Sequence, residues 1–464
     1  GGYRMDHSVI ERFAGIVGSG NVLTSAVDLA LYGQDAYLIK ALPDLVVLPG
    51  DTAEVSQVMA LAKELGLPII ARGAGSNLTG GVVPLSGGVV IHLSRLNKIL
   101  EIDSANRFAR VQPGVITLDL QNAVAKTGLQ YAPDPASQKT STLGGNVGEN
   151  AGGPHCLKYG VTANHVLGAT VVLFDGTVVE VGGATQDLPG LDLMGLLVGS
   201  EGTLGVATEL TLRLIAQPEA VKTMLAVYSS LEDAVDTVSA VIADGIIPAT
   251  LEMMDNTVIQ AVEDSMAAGY PRDAAAVLII ELDGLKDGMD RLSGRIMEIC
   301  QRHKVREVKV AKDAAERMKL WVGRKGAFGA ISRLRPSYLV CDGTVPRTKL
   351  PATLKKVMEL AAQHQLRVGN VFHAGDGNLH PLILFDVRDP EELKRVNALG
   401  SAILTLCVEM GGTISGEHGI GVEKLKEMGL IFGAADIDLM RSLKRAFDPA
   451  GLMNPGKVLP EPAS

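Results

Sequence analysis

Residues 69–94 read IIARGAGSNLTGGVVPLSGGVVIHLS, and the fold turns on the element that succeeds their glycine-rich centre. The apolar triplet Ile69-Ile70-Ala71 predicts a strand, the loop spans residues 72–81, and GGVVIHLS predicts a second strand. The loop is not G-x-G-x-x-G, because Leu78 interrupts it, and no Gly-Lys-Ser/Thr comes after it. Nor does a helix, so both the Rossmann and the P-loop readings fail on context. A strand–loop–strand rich in Gly, Ser, Asn and Thr can still form a nest of backbone N–H groups for a diphosphate. Arg72 beside the loop favours an anion there.

Upstream, residues 45–48 (LVVL) predict a buried strand, and Asp51-Thr52-Ala53-Glu54 reads as a capping box that opens a helix. Val55, Val58, Met59, Ala62 and Leu65 carry the 3.6-residue period until Gly66 and Pro68 end it. Downstream come three further polar glycine segments: PDPAS at 133–137, STLGGNVGENAGG at 141–153 and VGSEGTLGV at 198–206. Between them lie β-rich stretches, one a hairpin turning at Asp175-Gly176. The chain's 53 glycines concentrate between residues 72 and 205, as expected where backbone must approach one long ligand. A dinucleotide fits that description. Beyond Pro218 glycine thins, and amphipathic helices such as 231–243 alternate with strands such as AAVLIIELDG. The expected division is therefore 1–217, an α+β domain at 218–415, and a tail from 416 to 464.

The 464 residues are 47% hydrophobic and 20% charged, an ordinary globular composition with ample core. A net charge of -9 and a pI of about 5.6, with aromatics at 4%, argue against nucleic acid as a partner. Cys156, Cys300, Cys341 and Cys407 stand apart from one another, so the chain carries no iron–sulfur motif and no disulfide framework. No apolar run approaches the ~20 residues of a membrane span, and the expected compartment is the cytoplasm.

Residues 371–385 read VFHAGDGNLHPLILF. Asp376-Gly377 predicts a two-residue type I′ turn, which would set Ala374 opposite Leu379 and His373 opposite His380. A lone histidine near an apolar strand is ordinarily a hydrogen-bonded packing residue. Two directly opposed imidazoles, with Cβ atoms about 4.5–5.5 Å apart, suit a shared divalent metal that still needs a third ligand.

Taken in order, RGAGSNLTGG, LGGNVGENAGGPHCLKYG, GSEGTLGV, CDGTVPR, HAGDGNLHP, SGEHGIG and NPGK resemble the FAD-linked 2-hydroxyacid dehydrogenases of the vanillyl-alcohol oxidase fold. Within them the likeness is to the glycolate oxidase and D-lactate dehydrogenase branches, over residues 45–459. The resemblance implies a two-subdomain FAD-binding domain of the PCMH type, a cap over the flavin, and a C-terminal segment returning to the FAD domain. It also implies that Arg72, Gly73, Ala74, Gly75, Ser76, Asn77, Thr79, Gly80 and Gly81 hold the pyrophosphate. Pro133, Asp134 and Ser137, with Thr142, Gly144, Gly145, Asn146, Glu149 and Asn150, would line the flavin. Glu201, Gly202 and Gly205 would support the adenosine end, and Asn454 would lie near the ring. Ser76 stands where covalent relatives carry a histidine, so the FAD is expected to be non-covalent.

In the same family the two histidines and the Glu of G-E-H-G bind a divalent metal, here His373, His380 and Glu417, with Zn, Fe and Mn all acceptable. His418 matches the general base and Arg324 the residue that clamps the substrate carboxylate. His155 borders the pocket or simply packs. Val340 replaces a lysine found in relatives acting on 2-hydroxyglutarate, which favours a small monocarboxylate such as D-lactate or glycolate. Arg333 or Arg335 could compensate, which keeps D-2-hydroxyglutarate as the alternative substrate. Electrons would pass to a separate iron–sulfur subunit, an electron-transfer flavoprotein or a quinone, with peripheral membrane association or oligomerisation through such partners. More distant readings are a metallohydrolase, an electron-relay subunit, and a non-redox flavoenzyme of the alkylglycerone-phosphate synthase type.

Overall fold

The computed structural model describes residues 5–185 and 189–461. The chain divides into two units: 1–152, 161–217 and 417–464 form the first, and 153–160 with 218–416 form the second. The short segment 153–160 thus leaves its glycine-rich surroundings, and the return segment begins at Glu417.

Among the described residues the first unit holds two larger sheets and a two-stranded ladder of Leu129–Gln130 with Ile215–Ala216. In one, Leu45–Val47, Val89–His92 and Ile69–Arg72 run parallel, with Val22–Leu23 antiparallel at the edge. Helix Thr52–Glu64 starts where Asp51 accepts the Glu54 N–H at 2.8 Å. Its Val55, Val58, Met59 and Ala62 pack with Phe13 against Leu45, Val47, Ile69 and Ile91. Each of these side chains except that of Ala62 contributes roughly 1.5–3 kcal/mol on burial. The other sheet is antiparallel, in the order Ile99–Asp103, Phe108–Val111, Val206–Arg213, Val166–Val172, Val178–Gly182. At the open edge of the first sheet, Ile69 donates to the Leu452 carbonyl and accepts from the Asn454 N–H. Residues 452–454 of the return segment therefore pair with that edge at Ile69, where its backbone groups would otherwise lack a partner.

The second unit is built on one seven-stranded antiparallel sheet. Its strands run Glu307–Val310, Ala220–Tyr228, Ala276–Gly284, Thr250–Asp255, Arg367–His373, Pro381–Phe385, Ser337–Val340 across the sheet. Side chains alternate between faces, so register decides which residues meet. One face carries Leu225, Val227, Ile279, Val277, Met254 and Val371, packed on helices Asn256–Met266 and Ala314–Ile331. At one end of that same face the period-2 pattern sets Thr223, Glu281, Thr250, Glu252 and His373 in a row. A polar row on an apolar face is the feature that positions the site.

The histidine hairpin differs from the expected one. Strand pairs run Asn370 with Pro381 and Val368 with Ile383, which sets His373 opposite Asn378, not His380. The connection is wider than two residues: Ala374–Asp376 is a 3₁₀ turn, and Gly377 takes φ +77°. A Cβ on Gly377 would collide with the Val345 carbonyl oxygen, so both conformation and space demand glycine. The physical reason for the shift is that Gly377 serves as the left-handed C-cap of that turn and not as half of a type I′ pair. His380 is then a diagonal neighbour of His373 on the same face, still within reach of its ring.

Candidate functional site

In the first unit the glycine loop meets the second polar segment directly. A Cβ on Gly73 would collide with Thr142 Oγ1, and Thr142 itself caps helix Leu143–Glu149 by accepting the Gly145 N–H. Asn146 is buried and donates to Thr117 Oγ1 at 2.8 Å, which ties that helix to its neighbour. Gln121 donates to the Pro133 carbonyl, and the Ser137 carbonyl accepts from Thr140 and Ser141, so the 133–141 loop is fixed from within. Arg72 donates through Nη1 to the Tyr32 and Gln34 carbonyls and lies 5.5 Å from the Tyr32 ring centroid. The backbone of residues 72–81 is thus the element that presents the loop, and Arg72 braces it.

The return segment is held in part by Glu201. Glu201 accepts the N–H groups of Ile420 and Gly421, each at 2.7 Å, and Thr79 O accepts from Val422 at 2.8 Å. Asn454 donates to the carbonyls of both Gly81 and Glu201, and Lys457 donates to the Val83 carbonyl and Asn454 Oδ1. Burial raises Glu149 well above the ordinary carboxylate range, reinforced by Glu201 and Asp35, while Lys424 opposes the rise. Burial likewise pulls Lys457 down to about 8. His418 stands with its Nε2 3.8 Å from Glu417 Oε1.

In the second unit the polar row holds two clusters. Glu281 accepts from Trp321 Nε1 at 3.0 Å and Thr223 Oγ1 at 2.5 Å, with His155 Nε2 at 3.3 Å. Burial pushes Glu281 up, yet these three partners together hold it below its usual value. One helical turn past Trp321, Arg324 donates through Nε to Glu252 Oε2 at 2.6 Å. The other carboxylate oxygen, Oε1, lies 2.7 Å from His373 Nδ1. Glu252 is fully buried, and although burial raises it, His373 and Arg324 hold it below the ordinary range.

The His373 and His380 rings are 5.1 Å apart at 88°, with ligand atoms within 4.8 Å of one another. His380 Nδ1 lies 3.2 Å from the Cys341 carbonyl. With both Nδ1 atoms engaged by the protein, each ring is oriented through Nδ1 to offer Nε2, the usual arrangement of metal-binding histidines. Asp342, next to Cys341, accepts from Ser415 Oγ, and its carbonyl accepts the Gly416 N–H at 2.8 Å. Its carboxylate also comes within 4.8 Å of His380. His373, His380 and Arg324 therefore gather in the second unit, whereas Glu417 and His418 open the return segment of the first, one peptide bond past Gly416. Glu252, Glu281 and Asp342 were missed. Their signal was an acid set inside an apolar strand run, as in TLEMMD and VLIIELDG, or directly after one.

Comparison with known proteins decides the family. Residues 217–458 match the family described as FAD linked oxidases, C-terminal domain, and residues 43–182 match an FAD binding domain. The chain belongs to the FAD-linked oxidases. It is 48% identical to glycolate oxidase subunit GlcD of Escherichia coli over 428 residues, 92% of this chain and 85% of that protein. It is 35% identical to D-lactate dehydrogenase of Anaerostipes hadrus, covering 93% of this chain and 91% of that one. The structure of p-cresol methylhydroxylase with substrate bound shares the fold at a TM-score of 0.82 with 17% identity, over 98% of this chain and 96% of the other. The α+β, PCMH-type expectation holds, and this FAD-linked oxidoreductase binds FAD, its FAD binding domain matching over residues 43–182. The close approach of Gly73 to Thr142, where no side chain fits, joins the glycine loop to the helix Leu143–Glu149. Among the described residues no helix is long and apolar enough to cross a membrane.

Proposed function

We propose that this FAD-linked oxidase converts a small D-2-hydroxy acid, D-lactate or glycolate, to the 2-oxo acid. The names of its relatives, a glycolate oxidase subunit and a D-lactate dehydrogenase, point to that substrate class. The observation that carries the reading is the buried trio Arg324, Glu252 and His373, which sets a guanidinium beside a histidine pair. His373 and His380, with Glu417 after the Asp342-anchored Gly416, are the proposed ligands of a divalent cation. Two imidazoles and a carboxylate suit Zn, Fe or Mn and leave coordination positions open.

Bound FAD supplies a two-electron acceptor, and the cation supplies Lewis acidity toward a hydroxyl oxygen. The chain's own groups do the rest. Among the described residues the terminal nitrogens of Arg324 carry no hydrogen bond, so its planar fork can take a substrate carboxylate bidentately. His418 accepts the hydroxyl proton, a role open to an imidazole because its ordinary pKa of about 6.5 lies near neutral pH. Substrate size follows from position 340. Val340 offers no cation, Arg335 is paired with Glu392 at 2.5 Å, and Arg333 is exposed, so a second carboxylate finds no partner from these residues. Ser76 offers no imidazole to the flavin, and the FAD is held non-covalently. A separate acceptor would take the electrons, in keeping with the name subunit in the glycolate oxidase relative.

Anaerobic titration of the yellow protein with a panel of D- and L-2-hydroxy acids tests this. D-lactate or glycolate should bleach the flavin, and acid precipitation should leave the colour in the supernatant. A protein bleached by dithionite but by none of the acids would not be this enzyme.

A further inference from the structure

Resting on that reading of Arg324 and His373, we infer that Glu252 is a positioning residue that fixes the carboxylate clamp and the metal ligand with one side chain. The geometry is specific. Glu252 and His373 are paired in register on adjacent strands, Thr250–Asp255 and Arg367–His373, so their side chains leave the same face. Arg324 approaches from helix Ala314–Ile331. Oε1 meets His373 Nδ1 at 2.7 Å and Oε2 meets Arg324 Nε at 2.6 Å, while Thr250 Oγ1 lies 3.4 Å from Oε1. All three principals are nearly or wholly buried: Arg324 is 4% exposed, His373 6% and Glu252 1%.

Each contact does one thing. An imidazole that donates Nδ1–H to a carboxylate has its tautomer and ring plane set, so Nε2 is the atom presented to a cation. A guanidinium held through Nε cannot rotate about its stem, so its two terminal nitrogens point one way. Sharing one carboxylate makes these two orientations interdependent. Neither Gln nor Asp reproduces that. Gln offers one acceptor oxygen and one donor NH₂, so it can satisfy Arg324 Nε–H or His373 Nδ1–H but not both. Asp keeps the charge but is one methylene shorter and spans the pair poorly.

The test uses the full-length FAD-loaded protein, with metal removed by chelation and restored as Zn²⁺ or Mn²⁺ alone. Glu252→Gln should bind the added metal on the order of 10–100-fold more weakly than the parent. It should also raise KM and lower kcat for the active hydroxy acid, with FAD content unchanged. If Glu252→Gln does not fold, Glu252→Asp, which leaves Arg324 paired with a charge, decides. It should retain FAD and still lose metal affinity. Parent-like metal affinity and parent-like kinetics in a folded variant overturn the proposal while leaving the proposed activity intact. Conversely, weakened metal binding in variants of a parent that oxidises no hydroxy acid would leave Glu252 as a metal-orienting residue and reject the activity.

Discussion

The two units assemble their polar groups by opposite means. In the first, main chain is packed closely: Gly73 passes so near Thr142 that no side chain fits, and Arg72 is turned onto the Tyr32 and Gln34 carbonyls. In the second, side chains are brought to one another: Glu252, Arg324 and His373 meet although 72 and 121 residues separate Glu252 from its two partners. A diphosphate is recognised well by N–H groups of a local loop, which need no particular side chain. In the proposed reaction the base, the oriented anion clamp and the ligands of the proposed cation are all side chains. Recognition by backbone is therefore contiguous in sequence, and chemistry by side chain is scattered.

The sharpest way to break this contrast is a pair of substitutions that ought to fail in opposite directions. His380→Ala should abolish reduction of the flavin by the hydroxy acid and lower metal content, with FAD occupancy and dithionite bleaching unchanged. Gly73→Val should strip the FAD while metal binding persists. Elemental analysis and the visible spectrum of each purified variant read both quantities at once. Loss of both FAD and metal in either variant would mean the two functions do not separate along the units.

A smaller effect is expected at Arg324. Lysine keeps the charge and loses both the planar fork and the Nε donor that Glu252 holds. Misorienting a substrate by about 1 Å can cost on the order of 10²-fold, and Arg324→Lys should lower kcat/KM by roughly that amount. Unchanged kcat/KM for every active acid would remove Arg324 from the site.

The same contrast governs how much could be read in advance. The strand–loop–strand at 69–92, the capped helix Thr52–Glu64, the helix Leu231–Ala243 and the glycine segments were legible because period, caps and glycine are local signals. The proximity of His373 and His380 was also legible, though by the wrong register: the 3₁₀ turn at Ala374–Asp376 is set by the fit of Gly377 against Val345, a contact 32 residues away in sequence. Glu252, Glu281 and Asp342 were not legible as site residues, since nothing near them names their partners. What marks them is that an acid interrupts or immediately follows a buried strand. The same sign would flag Asp255, which the chemistry does not use.

Asp255 therefore tests whether a buried acid of the second unit can matter to folding alone. It caps helix Asn256–Met266 by accepting the Val258 N–H at 3.1 Å, and its other oxygen accepts the backbone and side-chain N–H groups of Asn370, both at 2.9 Å. Burial nevertheless raises it to about 6 from an ordinary 3.8. The sign follows from which state holds the proton. Between about pH 4 and 6 the folded carboxyl keeps a proton that the unfolded chain has released, so stability falls as pH rises through that window. Above it the charged, buried form persists at a constant disadvantage. Asparagine is also a good N-cap and does not titrate. Relative to Asp255→Asn, the parent should lose stability between about pH 4 and 6, a Tm difference that widens by roughly 2–4 °C for each kcal/mol involved. Hydroxy-acid turnover at fixed temperature should be the same in both proteins, because Asp255 touches the cap and Asn370 and neither Arg324 nor the histidine pair. A parent whose Tm tracked the variant's at every pH would show that the cap and Asn370 stabilise the carboxylate fully, and a turnover defect would move Asp255 from a folding role into the site.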